Sequence, residues 1–179
     1  WFPKIARREA DGTWRHFTFN HLSEFYADYG RYDVSVDVPE GFSVGASGAM
    51  TEKKRADGRV VRRFVQDDVH DFAFAAWDRF LEQKEQHDGV ALRILYPRGH
   101  EEDARVELAD VAFALDRFGR EFGRYPYDHL TLVHPPPGAD EAGGMEYPTM
   151  ITTGGPWWLP ATGLRVIQTI AVHELGHQW

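Results

Sequence analysis

The sequence predicts a mixed α and β protein, with a first half built of strands and a second half in which strands and helices alternate. Three observations predict it. Up to about residue 85, apolar residues either alternate with polar ones or fall in short runs, and no long helical periodicity occurs. Between 101 and 122 one strong helical stripe does occur. The chain then closes on a second helical segment whose last residues carry a motif that works only on a helix.

In order, Tyr32, Val34, Val36 and Val38 alternate with Asp33, Ser35 and Asp37, the pattern of a half-buried strand, which Pro39-Glu40-Gly41 ends. Residues 42–48 suit the next strand. Asp57-Gly58 is a hairpin turn signal leading into a strand at 60–65. Residues 71–77 are a further apolar strand. The polar run Glu85-Gln86-His87-Asp88 is a candidate domain boundary. Val90, Leu92, Ile94 and Tyr96 alternate again. Glu101-Glu102-Asp103 places three acids at a helix N-terminus, where the helix dipole favours them. Leu108, Val111, Leu115, Phe118 and Phe122 then give one buried stripe, and Gly123 and Pro126 stop the helix. Residues 130–133 form a short strand and Pro135-Pro136-Pro137-Gly138 a stiff loop. Residues 145–152 suit a strand that Pro148 confines to a sheet edge. Gly154-Gly155-Pro156 turns the chain into a last helix from about Ala161 to the terminus.

Composition narrows the function. The 179 residues (20.5 kDa) are 42% apolar and 27% charged, a globular balance. Twenty Lys and Arg against 28 Asp and Glu leave a formal charge of −8, so no nucleic-acid partner is expected. The absence of cysteine excludes disulfides, thiol catalysis and iron–sulfur clusters. No apolar run reaches the roughly 18 residues of a membrane span. The chain opens at Trp1 without a signal-like segment and stops at Trp179 inside a helix, and so has the look of a piece of something longer.

The strongest chemical signal is His173-Glu174-Leu175-Gly176-His177, an H-E-x-x-H motif. Residues four apart lie one turn apart on one helix face, so both imidazoles can reach one ion at about 2.0–2.1 Å. Glu174 stands beside the first ligand, free to act as general base on water activated at the metal. A second signal is Gly143-Gly144-Met145-Glu146-Tyr147-Pro148. Paired glycines let a ligand backbone approach closely, and a carboxylate just beyond them can hold an ammonium group.

Together the two motifs, with 27 residues from Glu146 to His173, resemble the M1 zinc aminopeptidases of the gluzincin clan, bacterial type. The resemblance extends upstream through Trp1-Phe2-Pro3-Lys4-Ile5, the block from Ser23 to Val34, Val38-Pro39-Glu40-Gly41-Phe42 and Asp68-Val69-His70-Asp71-Phe72-Ala73. It implies that residues 1–85 are the C-terminal part of an all-β N-terminal domain. Residues 86–179 are then the start, incomplete, of a thermolysin-like α+β catalytic domain. It further implies Zn²⁺ held by His173 and His177, Glu174 as general base, and Glu146 as the acid that binds the free α-amine of a peptide substrate. Gly143, Gly144 and Met145 match the backbone strip that pairs with the extended peptide. Tyr147 departs from the commoner Asn. The family's third zinc ligand, a Glu about 18 residues after the second His, and its oxyanion-stabilising Tyr both fall beyond Trp179. This stretch alone is therefore expected to be inactive, with a loosely held final helical turn. Bacterial members are often exported to the periplasm, and the resemblance carries that expectation without fixing the compartment.

The rivals are weaker. A non-catalytic M1-like module that binds peptides or proteins in the same groove is the alternative from another class. A third reading is a different hydrolase of the family, such as an epoxide hydrolase. Gly41-Phe42-Ser43-Val44-Gly45 fits G-x-S-x-G but lacks the strand, sharp turn and helix that a nucleophilic serine needs. The remaining histidines are scattered singly, as surface or ordinary hydrogen-bonding residues. Trp157-Trp158 suits packing.

Overall fold

A computed structural model describes residues 5–16, 27–154 and 165–179. Eleven strands and two α-helices occur among them, so the mixed α and β class holds. The short strands β1 (Arg7–Arg8) and β2 (Trp14–Arg15) pair antiparallel. Strands β3 (Gly30–Pro39), β5 (Ala49–Lys54) and β6 (Arg59–Val69) form an antiparallel sheet in the order β3-β6-β5. Strands β4 (Ser43–Ala46) and β7 (Phe74–Trp77) make a separate antiparallel pair. Alternation along β3 turns Tyr32, Val34, Val36 and Val38 onto Val44, Ala46, Phe64 and Phe72, giving the β-rich half its core. The Asp57-Gly58 hairpin forms as expected, with Gly58 at φ +76 joining β5 to β6.

The second sheet runs β11-β10-β9-β8. Strand β8 (Phe80–His87) pairs antiparallel with β9 (Val90–Pro97) through a two-residue turn, Asp88-Gly89. Both turn residues are left-handed (φ +45 and +83), the geometry that matches strand twist. The polar run 85–88 is therefore the tip of this hairpin. From β9 the chain crosses through α1 (Glu101–Phe122) to the parallel strand β10 (His129–Val133), and β11 (Met150–Thr152) adds parallel to β10. Helix α2 (Val166–Gly176) packs beside α1 on the same face. Val90, Leu92, Ile94 and Tyr96 of β9 point at the helices, while Leu95 points the other way, against Ala73, Val133 and Met150. Strand β9 is covered on both faces, which is why it is apolar almost throughout.

The β-rich half lies directly against this back face. A methyl group on Gly45 of β4 would come within 3.0–3.2 Å of Leu95, Thr131 and Val133, so any side chain there would require those neighbours to give way. The Arg93 guanidinium donates to the Val44 carbonyl at 2.8 Å, and the Gly48 amide donates to Thr149 Oγ1 at 2.7 Å.

Several expectations change. Phe122 is 65% exposed, so the buried stripe of α1 runs through Ala104, Leu108, Val111 and Leu115 and ends with half-buried Phe118. Residues 145–152 are not one strand. Tyr147-Pro148-Thr149-Met150 is a turn closed by Met150 N–H to the Tyr147 carbonyl (2.9 Å), and it folds Met145 back antiparallel onto Thr152. At the final turn, Trp179 donates from its indole N–H to the Gly123 carbonyl at 2.7 Å and packs on Phe118 and Tyr125. The start of the last helix near Ala161, residues 1–4, 17–26 and Trp157-Trp158 lie outside the described residues. Ser43 opens β4 and is followed by a strand rather than a helix, so the Gly41–Gly45 stretch is not a nucleophile elbow.

Candidate metal centre

Ile167, Ala171, Glu174 and Leu175 are the buried residues of α2, at helical spacing. That register decides the site. It turns the Glu174 carboxylate inward, only 6% exposed, and leaves His173 and His177 on the open side. His177 caps the helix in a right-handed helical conformation (φ −62, ψ −21), so the one-turn relation to His173 survives at the helix end. The two Nε2 atoms lie 3.2 Å apart. Two imidazoles at about 2.0–2.1 Å from one tetrahedral ion would sit about 3.3 Å from each other. The donor set therefore fits a zinc-like cation: two imidazole nitrogens with a carboxylate beside them, all ligand atoms within 4.8 Å of one another.

The glycine-rich strip comes to the same place. Gly144, at φ +66, lies with its Cα facing the carboxylate, since a methyl group there would sit 3.6 Å from Glu174 Oε1. That distance is ordinary van der Waals contact, so it is the left-handed backbone, not a shortage of space, that favours glycine here. The amides of Gly144 and Met145 donate to the Thr152 carbonyl at 2.9 and 3.3 Å, and the Met145 carbonyl accepts from Thr152 N–H at 2.8 Å. The strip is thus tied to the sheet through β11. Glu146 is half-buried, with its charge felt at Glu174. Burial, and then the neighbouring Glu146 charge, push the Glu174 carboxyl above the usual glutamate range, while the two imidazoles pull the other way. A site with two crowded carboxylates favours cations. Tyr147 packs against the cluster that holds Met150, and its phenol is raised by burial, then by the charges of Asp71 and Glu146.

The structure brings His173, Glu174, His177, Gly144, Met145 and Glu146 together; Gly143 precedes them in the same strip. It adds residues that the sequence reading passed over. Gln178 contacts the backbone of the Glu146–Thr149 turn, and Trp179 anchors the same helix end to α1. The only trace of them in the sequence is a long amide and an indole immediately after the second histidine. Elsewhere, buried His134 pairs with fully buried Glu107 at 2.6 Å, although His134 carried no sequence signal.

No protein-family model and no curated protein matches the chain. Solved structures do. An M1 zinc metallopeptidase from Deinococcus radiodurans superposes with a TM-score of 0.65 at 21% identity, covering 86% of this chain and 35% of that one. A mutant of the Deinococcus radiodurans enzyme gives 0.65 at 22%. A mutant two-domain M1 zinc metallopeptidase bound to L-tryptophan gives 0.64 at 23%, with the same coverage. The likeness shows a shared fold, that of M1 zinc metallopeptidases. The chain spans about 35% of the length of these structures. No described helix is long and apolar enough to cross a membrane.

Proposed function

We propose that this chain carries the zinc-binding and amine-anchoring part of a metallopeptidase that removes residues from the free N-terminus of peptides. The observation that carries the reading is the convergence of the His173–His177 pair, spaced for one tetrahedral ion, with the inward carboxylate of Glu174 and with Glu146. In this reading His173 and His177 hold Zn²⁺, and a further ligand comes from outside these residues. When bound, the ion supplies a Lewis acid that polarises the scissile carbonyl and acidifies water. Glu174 would serve as the base, its carboxylate accepting a proton from the attacking water and passing it to the leaving amine. Glu146 pairs with the substrate's α-ammonium and so fixes which peptide bond reaches the base. The Gly143–Met145 strip runs beside the substrate backbone, where the two glycines, having no side chains, admit close approach. For the division between the two parts of the chain, expected after residue 85, this reading takes the Asp78-Arg79 turn instead, which the membership of β8 in the second sheet supports.

The test uses the full-length protein. Metal analysis is expected to give one zinc per chain, and aminoacyl-anilides with a free amine are expected to be hydrolysed faster than their N-acetyl forms. Chelation abolishes turnover and added zinc restores it. Bound zinc without hydrolysis would instead favour the binding-module reading.

A further inference from the structure

Gln178 lies one residue past the second histidine and makes three hydrogen bonds to one turn. Its Oε1 accepts from the Thr149 amide at 2.9 Å. Its Nε2 donates to the carbonyls of Glu146 at 3.2 Å and Tyr147 at 3.3 Å. Only this orientation of the amide satisfies all three partners, since the reversed one would face a donor with a donor and two acceptors with an acceptor. The turn that it grips is strained. Thr149 is fully buried, β-branched and left-handed at φ +59, a conformation that such residues rarely adopt. The strain persists because both ends of the residue are held. Its amide is held by Gln178, and its hydroxyl accepts from the Gly48 amide at 2.7 Å. Residues 146–149 are therefore bolted on one side to the helix that carries the histidines and on the other to the β-rich half.

We infer that Gln178 is a positioning residue that fixes the Glu146 carboxylate relative to the histidine-bearing helix, and so sets how tightly the site holds a free amino terminus. This rests on the reading of Glu146 proposed above. Gln178 touches neither metal nor substrate; it acts through the backbone of Glu146. Without it, the strained turn relaxes and the carboxylate shifts while both histidines stay on their helix. A misplacement of about 1 Å costs on the order of 10²-fold in such a site.

Two variants of the full-length protein test this. Gln178→Met keeps the side-chain volume and removes all three hydrogen bonds. Gln178→Glu keeps the acceptor for Thr149 but turns an anionic oxygen onto two carbonyls. Thermal melts and zinc stoichiometry establish that each variant is folded and loaded, and Gln178→Met carries the test if Gln178→Glu unfolds. The first readout is the ratio of kcat/KM for L-alanine anilide to that for its N-acetyl form. The second needs no metal: the Kd of L-alanine amide, against its N-acetyl form, measured by titration of the zinc-free protein. The expected result is zinc retained at the wild-type level, KM and Kd of the free-amine compounds raised about 10- to 100-fold, and the N-acetyl compounds little changed. An unchanged ratio, or equal losses on free and blocked compounds, overturns the role of Gln178. A wild-type protein that does not discriminate between the two compounds overturns the reading of Glu146, and this inference with it.

Discussion

Glu174 illustrates how one residue sets stability against chemistry. Burial and Glu146 hold its carboxyl above the usual range. The folded state therefore binds its proton more tightly than the unfolded chain does. The ionised group opposes folding most above that raised value, and the penalty is gone below the ordinary Glu value of about 4.3. In the zinc-free protein, Glu174→Gln is expected to raise the melting temperature at pH 7, with the gain shrinking as pH falls through that window. In the zinc-loaded full-length protein the same change is expected to keep the metal and remove nearly all turnover, read by anilide hydrolysis beside metal analysis. Turnover within a few-fold of wild type would remove Glu174 as the base. Glu146→Ala is expected to act on substrates rather than on the fold. A charged hydrogen bond in a partly buried site contributes about 1.5–3 kcal/mol, so free-amine substrates should lose roughly 10- to 150-fold and blocked ones little.

The turn at 147–150 is where an element shows what its sequence hid. Thr149 supplies a buried acceptor at a position whose backbone suits glycine. Thr149→Ala keeps the strain and leaves the Gly48 amide buried without its acceptor, at a cost of about 1–3 kcal/mol. Thr149→Gly loses the same bond but recovers about 1–2 kcal/mol of left-handed strain. Thr149→Ser keeps the acceptor. Denaturant midpoints should fall in the order Ser, Gly, Ala, and an alanine variant as stable as the serine one would show that the Gly48 bond contributes nothing. Legibility follows the range of the forces involved. Strands β3 and β9 and helix α1 were legible, because each announces itself by a period within its own residues, whereas the last helix was legible from the four-residue spacing of its two histidines and not from its buried face, Ile167, Ala171, Glu174 and Leu175. Strand β8, Phe-Leu-Glu-Gln-Lys-Glu-Gln-His, was not, since its pairing with β9 is carried by backbone groups and its side chains are largely polar. Gln178 was invisible for a related reason: its partners lie about 30 residues away in sequence. The turn signals of Pro148 and the strand-like residues around it conflicted, and the turn won because Met150 could bond Tyr147 while Met145 paired with Thr152.

Across the whole molecule, the β-rich half and the helix-covered sheet meet where Gly45 lies on Leu95, Thr131 and Val133. Its backbone is not left-handed, so the requirement is purely one of space. Gly45→Ala forces those side chains to move by a few tenths of an ångström, and Gly45→Val adds two further methyl groups. Overpacking of this kind costs about 1–3 kcal/mol, so the denaturation midpoint should fall in two steps from wild type through Ala to Val. A valine variant as stable as wild type would mean that the two layers can separate freely.

Strand β5 raises a matter of solution behaviour. It closes one side of the three-stranded sheet, all six of its residues are exposed, and among the described residues only β6 pairs with it. A row of unsatisfied backbone groups is an invitation to neighbouring chains, and proteins commonly discourage it with charge. Here the outer half of the strand is Glu52-Lys53-Lys54, with Lys54 paired to Glu40 and Arg62 bridging to Glu52. A second molecule that docked edge to edge would have to bring its own lysines against these and strip water from both sets. Lys53→Val with Lys54→Val would leave the fold intact and lift that barrier. Light scattering should then show association that grows with protein concentration, while the wild-type chain at the same concentrations remains dispersed.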